Sequence, residues 1–200
     1  MTAVATHIDL IVGLGNPGPA YERTRHNAGF WLVDTYAQRC QSVFKSEARF
    51  QGDTCKTLLD GHRGWLLKPT TYMNRCGQSV SSLVKYYKIP LERILVVHDE
   101  LDLPPGVARF KKGGGHGGHN GLRDIIKALG GNKEFMRLRI GIGHPGQSDQ
   151  VADFVLDDPS RRERELVLDA IDEAVDMIPL MLDGEFEKAM NRLHSKKPAA

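Results

Sequence analysis

The chain has few cysteines and no long hydrophobic segment, and both absences exclude classes of protein. Its three cysteines (Cys40, Cys55 and Cys76) form no C-x-x-C pair, and an odd number is typical of reduced thiols in a cytoplasmic protein. No apolar run approaches the roughly 20 residues that span a bilayer, and no basic stretch leads into an apolar segment at the N-terminus. We therefore expect a cytoplasmic protein that is neither secreted nor inserted in a membrane.

Internal repeats, low-complexity linkers and a G-x-S-x-G nucleophile elbow are also missing. The 200 residues, of which 40% are hydrophobic and 26% charged, suffice for one folded domain without disulfides or metal. The sequence therefore predicts a single domain over residues 1–200. Within it, we expect residues 1–6 to be an N-terminal extension and residues 195–200 to be a flexible tail.

The net charge of +2 conceals an uneven distribution of charge along the chain. Residues 107–139 contain eight Lys or Arg and two acids, whereas residues 153–187 contain twelve acids and three arginines. A basic region beside an acidic one indicates a binding site for a polyanion. A solvated surface without a specific partner is the alternative interpretation.

Strand patterns and helix patterns are interspersed along the chain, which predicts one α/β domain. Helical periodicity follows the stretches TRHN, TTYMN and GGHN, a capping box at Ser160 opens another helix toward Ile178, and Gly184–Leu193 is a short last helix. A turn at Asp60-Gly61 joins the second and third strands. The predicted strands are His7–Gly13, Phe50–Leu59, Trp65–Leu67, Ile94–His98, Val107–Lys111 and Met136–Gly143.

The first strand ends in GLGNPG (13–18), which matches the G-x-G-x-x-G dinucleotide fingerprint letter for letter. Two features argue against a dinucleotide site. Pro17 interrupts the turn where backbone N–H groups would face a pyrophosphate. The acid some 20 residues later is Asp34, which falls inside a helical pattern and not at the end of a second strand.

The stretch GGGHGGHNG (113–121) is rich in glycine and leads directly into a helix. Such a loop lets a ligand approach the backbone closely, and free N–H groups at a helix start attract anions. Asn120 stands at the expected N-cap, and basic residues flank the loop. The pair His116-x-x-His119 has no further ligand at zinc spacing, so no metal is expected.

Three polar residues follow predicted strands or precede the first helix, where sites form in open α/β sheets. Asn16 follows the first strand, Asp99 follows Ile94–His98, and His26 precedes the first helix. A histidine held by a carboxylate is a general base, and without a Ser or Cys nucleophile the pair would activate water. Ordinary alternatives remain open: a hydrogen-bonded surface histidine, a turn-forming aspartate, and N-cap roles for Asn74 and Asn120.

Five separated stretches resemble bacterial peptidyl-tRNA hydrolases in sequence and in order. They are VGLGNPG, TRHNAGFWLVD, PTTYMN, HDELDLPPGVARFKKGGGHGGHNGLRDI and RLRIGIGHPG. The resemblance extends from Ile8 to about Leu193, and it implies a twisted mixed β-sheet flanked by helices, like that of phosphorylases and hydrolases. It implies a metal-independent, monomeric catalytic domain that needs no cofactor and hydrolyses the ester between a peptide and the tRNA 3′ ribose, recycling peptidyl-tRNA from drop-off or stalled ribosomes.

The resemblance also implies roles for individual residues. His26 would be the base that activates water, Asp99 would stabilise it, and Asn16 would distinguish an acylated amino group from a free one. The implied substrate is peptidyl-tRNA, held by its acceptor stem, 3′ end and peptide, with no membrane and no obligate protein partner. Further substrate-binding residues would be Tyr21, Tyr72, Met73, Asn74, Gly117, His119 and Asn120, and tRNA phosphates would bind Arg109, Lys111, Lys112, Arg137 and Arg139.

About six phosphate contacts would make log K fall with log salt at a slope of roughly −4 to −5. Cys76 stands near the implied crevice, where the family often has serine, and raises the question of sensitivity to oxidation. Two other functions compete: a noncatalytic RNA-binding module on the same scaffold, and an oxidoreductase with a nucleotide cofactor. The first has no need of a base, and the second requires binding of NAD(P).

Overall fold

A computed structural model describes residues 7–59 and 61–195 of the chain. The extension 1–6, the tail 196–200 and Asp60 of the predicted turn lie outside the described residues. The strands are β1 (Leu10–Gly13), β2 (Lys45–Glu47), β3 (Gly52–Leu59), β4 (His62–Pro69), β5 (Ile94–Glu100), β6 (Ala108–Lys112) and β7 (Met136–Gly141). The helices are α1 (Ala28–Arg39), α2 (Cys76–Tyr87), α3 (Asn120–Ala128), α4 (Val151–Leu156), α5 (Arg161–Val175), α6 (Ile178–Leu182) and α7 (Phe186–Ser195).

The strands form one mixed seven-stranded sheet in the order β2-β3-β4-β1-β5-β7-β6. Its centre is parallel, because β4, β1, β5 and β7 run in the same direction. The edges are antiparallel: β2 and β3 continue from β4, and β6 pairs with β7. The prediction of a single α/β domain with a mixed sheet is therefore confirmed.

Alternate residues of the central strands enter two different hydrophobic cores. Leu10 and Val12 of β1 pack against α2 and α3, whereas Ile11 packs on the opposite face with α1, α5 and α6. Strands that are buried on both faces are continuously apolar, which explains why β1 and β5 were recognisable from sequence. No helix of the described residues is long and apolar enough to cross a membrane.

The predicted elements are found with shifted ends. The capping box at Ser160 is present, and α5 follows it, but this helix ends at Val175. A separate short helix, α6, begins at Ile178 with Pro179 in its first turn, where a missing N–H costs nothing. Pro179 therefore lies in the first turn of a new helix, whereas the sequence predicted one helix from Ser160 to Ile178.

Candidate functional site

The carboxyl ends of the parallel strands gather the polar residues of the site. Asn16 follows β1, Tyr72–Asn74 follow β4, and Asp99 is the last residue but one of β5. Ligand sites of open α/β sheets form at this edge. Because β4, β1 and β5 are neighbours in the sheet, residues more than 80 positions apart in the chain, such as Asn16 and Asp99, meet at this edge.

His26 lies in a short 3-10 turn (Arg25–Asn27) directly before α1. This turn reaches the sheet because α1 approaches it closely at a glycine. A Cβ on Gly29 would lie 2.4 Å from the carbonyl oxygen of Val97 in β5 and 2.5 Å from the nitrogen of Leu14. Any larger residue at position 29 would push α1, and His26 with it, away from the strand that carries Asp99.

The imidazole of His26 donates from Nδ1 to Oδ1 of Asp99 over 2.9 Å. The expected meeting of a histidine from the start of the chain with a carboxylate from its middle is thus observed. With Nδ1 as the donor, the lone pair of the neutral ring is on Nε2. Both residues are buried, at 7% exposure for His26 and 3% for Asp99.

Burial and charge act in opposite directions on the pair. Burial lowers the pKa of His26, but the negative charge and hydrogen bond of Asp99 outweigh it, so the pKa lies above its ordinary value. Burial likewise opposes ionisation of Asp99, but the neighbouring His26 and His119 hold the pKa of this carboxyl well below its usual range. Asp99 therefore stays ionised wherever His26 titrates.

Asp99 has a second histidine partner that the sequence did not predict. His119 donates from Nε2 to the same oxygen, Oδ1, also over 2.9 Å. Its other nitrogen, Nδ1, accepts the backbone N–H groups of Gly121 and Leu122. His119, and not Asn120, is therefore the N-cap of α3, and these two N–H groups are not free for an anion.

Asn16 is held on three sides by the protein. Its backbone N–H donates to Oδ1 of Asn27 over 2.8 Å, and its carbonyl accepts from Nδ2 of Asn27 over 3.0 Å. Its side-chain oxygen accepts the N–H of Met73 over 2.8 Å, which leaves its NH₂ group for a ligand. Asn27 is a functional neighbour that sequence reasoning missed, although it stands directly after His26 in the chain.

We name Asn16, His26, Asp99 and His119 the buried polar cluster. Beside it lies an open crevice of about 510 Å³. Asn74 and Asn120 are exposed along this crevice, and neither caps a helix, since the N-cap of α2 is Arg75. The crevice is lined by Asn16, His26, Tyr72, Met73, Asn74, Arg75, Asn120, Ala152, Val155 and Leu156.

Three predicted substrate residues, Tyr21, Gly117 and His119, are not part of the crevice lining. Tyr21 makes an edge contact with Tyr72, with ring centroids 6.1 Å apart, so it touches the crevice only through that neighbour. Gly117 and His119 line an adjoining cavity of about 470 Å³, which shares His26 and Asn120 with the crevice. Among the residues that line this cavity are His26, Asp99, Lys111, His119, Arg137 and Arg139.

The five predicted phosphate-binding residues, which we name the basic strip, are not equally available. Lys111 and Lys112 are exposed, and Arg139 pairs with Glu100 through Nε over 2.7 Å. Arg137 is only 3% exposed and donates to the carbonyls of Gly114 and Gly115, so it anchors the glycine loop from beneath. These contacts argue against the predicted role of Arg137 in binding tRNA phosphates, because its guanidinium is already engaged with the protein.

Arg109 also differs from the prediction. Its Nη1 donates to the carbonyls of Ala108 and Leu193, both at 3.3 Å, so it fastens β6 to α7. Arginine suits this role, because several donors on one planar group can hold several carbonyls. The sequence could not distinguish Arg109 and Arg137 from the exposed Lys111. An alternating strand pattern shows which residues share a face of the sheet, but it does not show which element covers that face.

Arg25 connects the turn of His26 to the wall of the crevice. Its Nη1 donates to the carbonyls of Phe154 (3.1 Å) and Asp157 (3.3 Å) at the end of α4, and Nη2 pairs with Glu163 over 3.2 Å. Helix α4 supplies Ala152 and Val155 to the crevice. This buried arginine thus sets the position of α4 relative to His26.

Cys76 is buried at 1% exposure, and its Sγ lies 3.5 Å from the carbonyl oxygen of Gly121. Burial, with a smaller effect of Asp124, raises its pKa to about 12. The reactive form of cysteine is the thiolate, so this residue is a protonated packing group. The structure gives no support to a redox-sensitive thiol at this position.

Within the described residues, His26, Asp99 and His119 form one set of potential metal ligands, whose ligand atoms lie within 4.8 Å of one another. The hydrogen bonds argue against a metal. Because Nδ1 of His119 accepts two backbone N–H groups, Nε2 must carry the proton of the neutral ring and has no lone pair to offer. The suspected pair His116 and His119 does not form a site either, since Nδ1 of His116 accepts the N–H of Gly118.

The dinucleotide fingerprint also fails in three dimensions. Asp34 lies within α1 and pairs with Lys68 over 2.6 Å, so it cannot bind a ribose at the end of a strand.

The fold and the buried polar cluster together define an α/β protein with a histidine–carboxylate pair beside an open crevice. This is the arrangement of enzymes in which a histidine acts as general base.

Comparison with known proteins agrees with this class. The family model of peptidyl-tRNA hydrolase matches residues 10–200. The peptidyl-tRNA hydrolase of Tolumonas auensis is 54% identical over 193 residues, covering 96% of this chain and 98% of its own. That of Erwinia tasmaniensis is 55% identical over 192 residues, with the same coverage. The chain belongs to the peptidyl-tRNA hydrolase family.

A solved structure supports the same assignment. The crystal structure of peptidyl-tRNA hydrolase from Acinetobacter baumannii superposes with a TM-score of 0.94 at 48% sequence identity. The match covers 98% of this chain and 100% of the other. The resemblance noted in the sequence is therefore confirmed over nearly the whole length.

Proposed function

We infer that this protein hydrolyses the ester bond between a peptide and the 3′-terminal ribose of tRNA. Membership of the family gives the reaction, and the hydrogen bond between His26 and Asp99 beside the crevice is the observation that carries the mechanism. Water attacks the ester carbonyl while Nε2 of His26 takes its proton. Asp99 holds the ring in the required tautomer and stabilises the imidazolium.

The tetrahedral intermediate then collapses and expels the ribose oxygen, which takes the proton back from His26. The products are a peptide carboxylate and a tRNA with a free ribose hydroxyl. An alkoxide leaves more readily than an amide nitrogen, so no covalent intermediate on serine or cysteine is needed. The His–Asp pair and positioned donors are sufficient for this chemistry.

The amide side chains of the crevice are oriented as donors toward the substrate. Oδ1 of Asn16 is occupied by Met73 N–H, and Oδ1 of Asn120 accepts from Arg123 over 2.7 Å. Both NH₂ groups therefore suit the carbonyl oxygens of a peptide backbone. A free α-ammonium group offers only donors, so it gains nothing from the NH₂ of Asn16, which supports a role in sparing aminoacyl-tRNA.

The acceptor stem would bind on the side of the basic strip. Lys111 and Arg139 border the adjoining cavity, and Lys112 extends the positive surface along β6. Because Arg109 and Arg137 are engaged inside the protein, about three phosphate contacts remain. The expected slope of log K against log salt is therefore shallower than that for six contacts, at roughly −2 to −3. We further propose that the protein works as a cytoplasmic, monomeric single catalytic domain without an obligate protein partner or cofactor.

The direct test is release of labelled N-acetyl amino acid from N-acetyl-aminoacyl-tRNA, with non-acetylated aminoacyl-tRNA as the matched substrate. We expect turnover of the first and little of the second. EDTA should leave the rate unchanged, and strong inhibition by the chelator would contradict the metal-free mechanism. Tight tRNA binding without any turnover would instead favour the noncatalytic RNA-binding module.

A further inference from the structure

Asp99 accepts two hydrogen bonds from two histidines on one oxygen, and only one of these histidines is explained by the proposed reaction. His26 reaches Oδ1 from the turn before α1, and His119 reaches it from the start of α3. The side chain of His119 is 9% exposed, and both of its nitrogens are occupied by protein groups. It therefore has no free polar atom with which to bind substrate.

We propose that His119 is a positioning residue for the ester hydrolysis, locking the carboxylate of Asp99 in the orientation that His26 requires. The proposal rests on the proposed function and goes beyond it, because it replaces direct substrate binding by His119 with an action through Asp99. The capped start of α3 fixes the tautomer of His119, and the tautomer fixes which nitrogen donates to Asp99.

The arrangement couples the helix that carries Asn120 to the carboxylate that serves His26. The N–H groups of Gly121 and Leu122 hold Nδ1 at 3.1 and 3.3 Å, so any displacement of α3 moves the Nε2–H away from Asp99. The ring is also confined by its neighbours. The imidazoles of His26 and His98 each lie with their centroids 5.0 Å from that of His119.

Sharing of the carboxylate has an electrostatic consequence for the base. Asp99 faces His26 from β5, and His119 contributes an N–H dipole that offsets part of the negative charge of Asp99. His98, whose ring contacts that of His119, is neutral, because burial and then His119 lower its pKa to about 3. Loss of the His119 donor would leave more of the charge to act on His26 and raise the pH at which His26 releases its proton.

Two substitutions separate the contacts made by the two nitrogens. His119→Asn keeps an oxygen near the position of Nδ1 and remains a good N-cap, but it has no donor near the position of Nε2. His119→Gln places an amide NH₂ near the position of Nε2, within reach of Asp99, and weakens the cap. Asn and Gln variants of His144, an exposed residue whose Nδ1 accepts the N–H of Gly146, are the matched controls.

The experiment measures kcat, KM, the pH profile and the melting temperature of each variant on N-acetyl-aminoacyl-tRNA. We expect His119→Asn to lose about 10- to 100-fold in kcat at unchanged KM. A loss of this size is typical when a residue that orients a metal ligand is removed, and His119 orients Asp99 in a comparable way. The acid limb of its pH profile should move to higher pH, while its Tm stays close to wild type. His119→Gln should keep more activity despite a Tm lower by about 2–4 °C.

The opposite order would overturn the proposal: if His119→Asn remains more active than His119→Gln, activity follows the helix cap and His119 is merely structural. A large rise in KM at unchanged kcat in both variants would restore direct substrate binding and also overturn it. A wild-type protein without turnover would be a different failure, since it would contradict the proposed function itself. The His144 variants should show none of these effects.

Discussion

Members of the buried polar cluster and of the basic strip line the same cavity, but the two groups hold their polar atoms in different ways. Asp99 of the cluster is enclosed and bound by two donors at 2.9 Å, and Asn16 is bound through its backbone and side chain. Lys111 and Lys112 of the strip stand exposed. Proton transfer requires a fixed geometry, whereas a phosphate backbone needs only charge within reach.

This difference predicts that single substitutions in the cluster change the rate of chemistry strongly, whereas substitutions in the strip change binding weakly and in a salt-dependent way. Arg109 and Arg137 show the same relation between fixed contacts and role. Arg109 and Arg137 belong to the strip by sequence, but their carbonyl contacts make them structural.

The largest effect is expected for His26→Ala. Removal of the general base should lower kcat by about 10²- to 10⁴-fold, because water then lacks a proton acceptor. Binding of tRNA should stay within a few fold of wild type, measured by filter retention, and circular dichroism should show an intact fold. Retention of wild-type turnover by this variant would contradict the mechanism, and His144→Ala is the control.

Asp99→Ala should cost less than His26→Ala, because the imidazole keeps its own basicity. The wild-type acid limb of kcat/KM should lie above the ordinary histidine pKa of 6.5, since activity is lost as pH falls through the raised pKa of His26. Without the charge of Asp99 only burial remains, and the limb should move to lower pH. An unchanged limb in this variant would show that another group titrates.

Gly121→Ala tests the boundary between the cluster and the crevice. A Cβ at this position would meet Sδ of Met73 at 2.5 Å and Cδ1 of Leu14 at 3.0 Å, so either the buried side chain of Met73 or the start of α3 must shift. We expect a loss of about 1–3 kcal/mol in the free energy of unfolding, measured by denaturant titration, together with a raised KM. Gly115→Ala, which meets nothing within 4 Å, should leave the free energy of unfolding unchanged.

The smallest effect is expected for Lys111→Ala on the strip. Loss of one phosphate contact should raise KM a few fold and reduce the salt slope by about 1, at unchanged kcat. Kinetics at several salt concentrations would measure both. Arg161→Ala in the acidic region, where the side chain is 93% exposed, should change neither quantity. A fall in kcat for Lys111→Ala would remove the distinction between the two regions.

Most of the sheet could be predicted because its signals are local. β1 and β5 are short apolar runs, and the polar residues that follow them had to meet at one edge once the strands were parallel. The neighbourhood of His26 and Asp99 followed from that rule. Element ends were less predictable, as with α5 and α6, where Pro179 fits the first turn of a helix as well as it fits an end.

The N-cap of α3 was predicted wrongly, and the internal contacts of Arg109 and Arg137 were not predicted, for a common reason. Asn is a preferred cap residue, so Asn120 was favoured, but Asp99 holds His119 at the position of the cap. Arg137 and Arg139 do share one face of β7, but the glycine loop covers Arg137. In both cases a contact from a distant segment outweighed a local preference.

By itself the sequence determined the α/β class, the buried strands β1 and β5 with the polar residues that follow them, and the family, since these depend on residue type and short spacing. The tertiary structure alone decided the tautomer of His119, the orientation of the Asn16 amide and the burial of Arg137. These depend on hydrogen bonds between atoms of distant segments, and no local pattern records which partner such an atom will find.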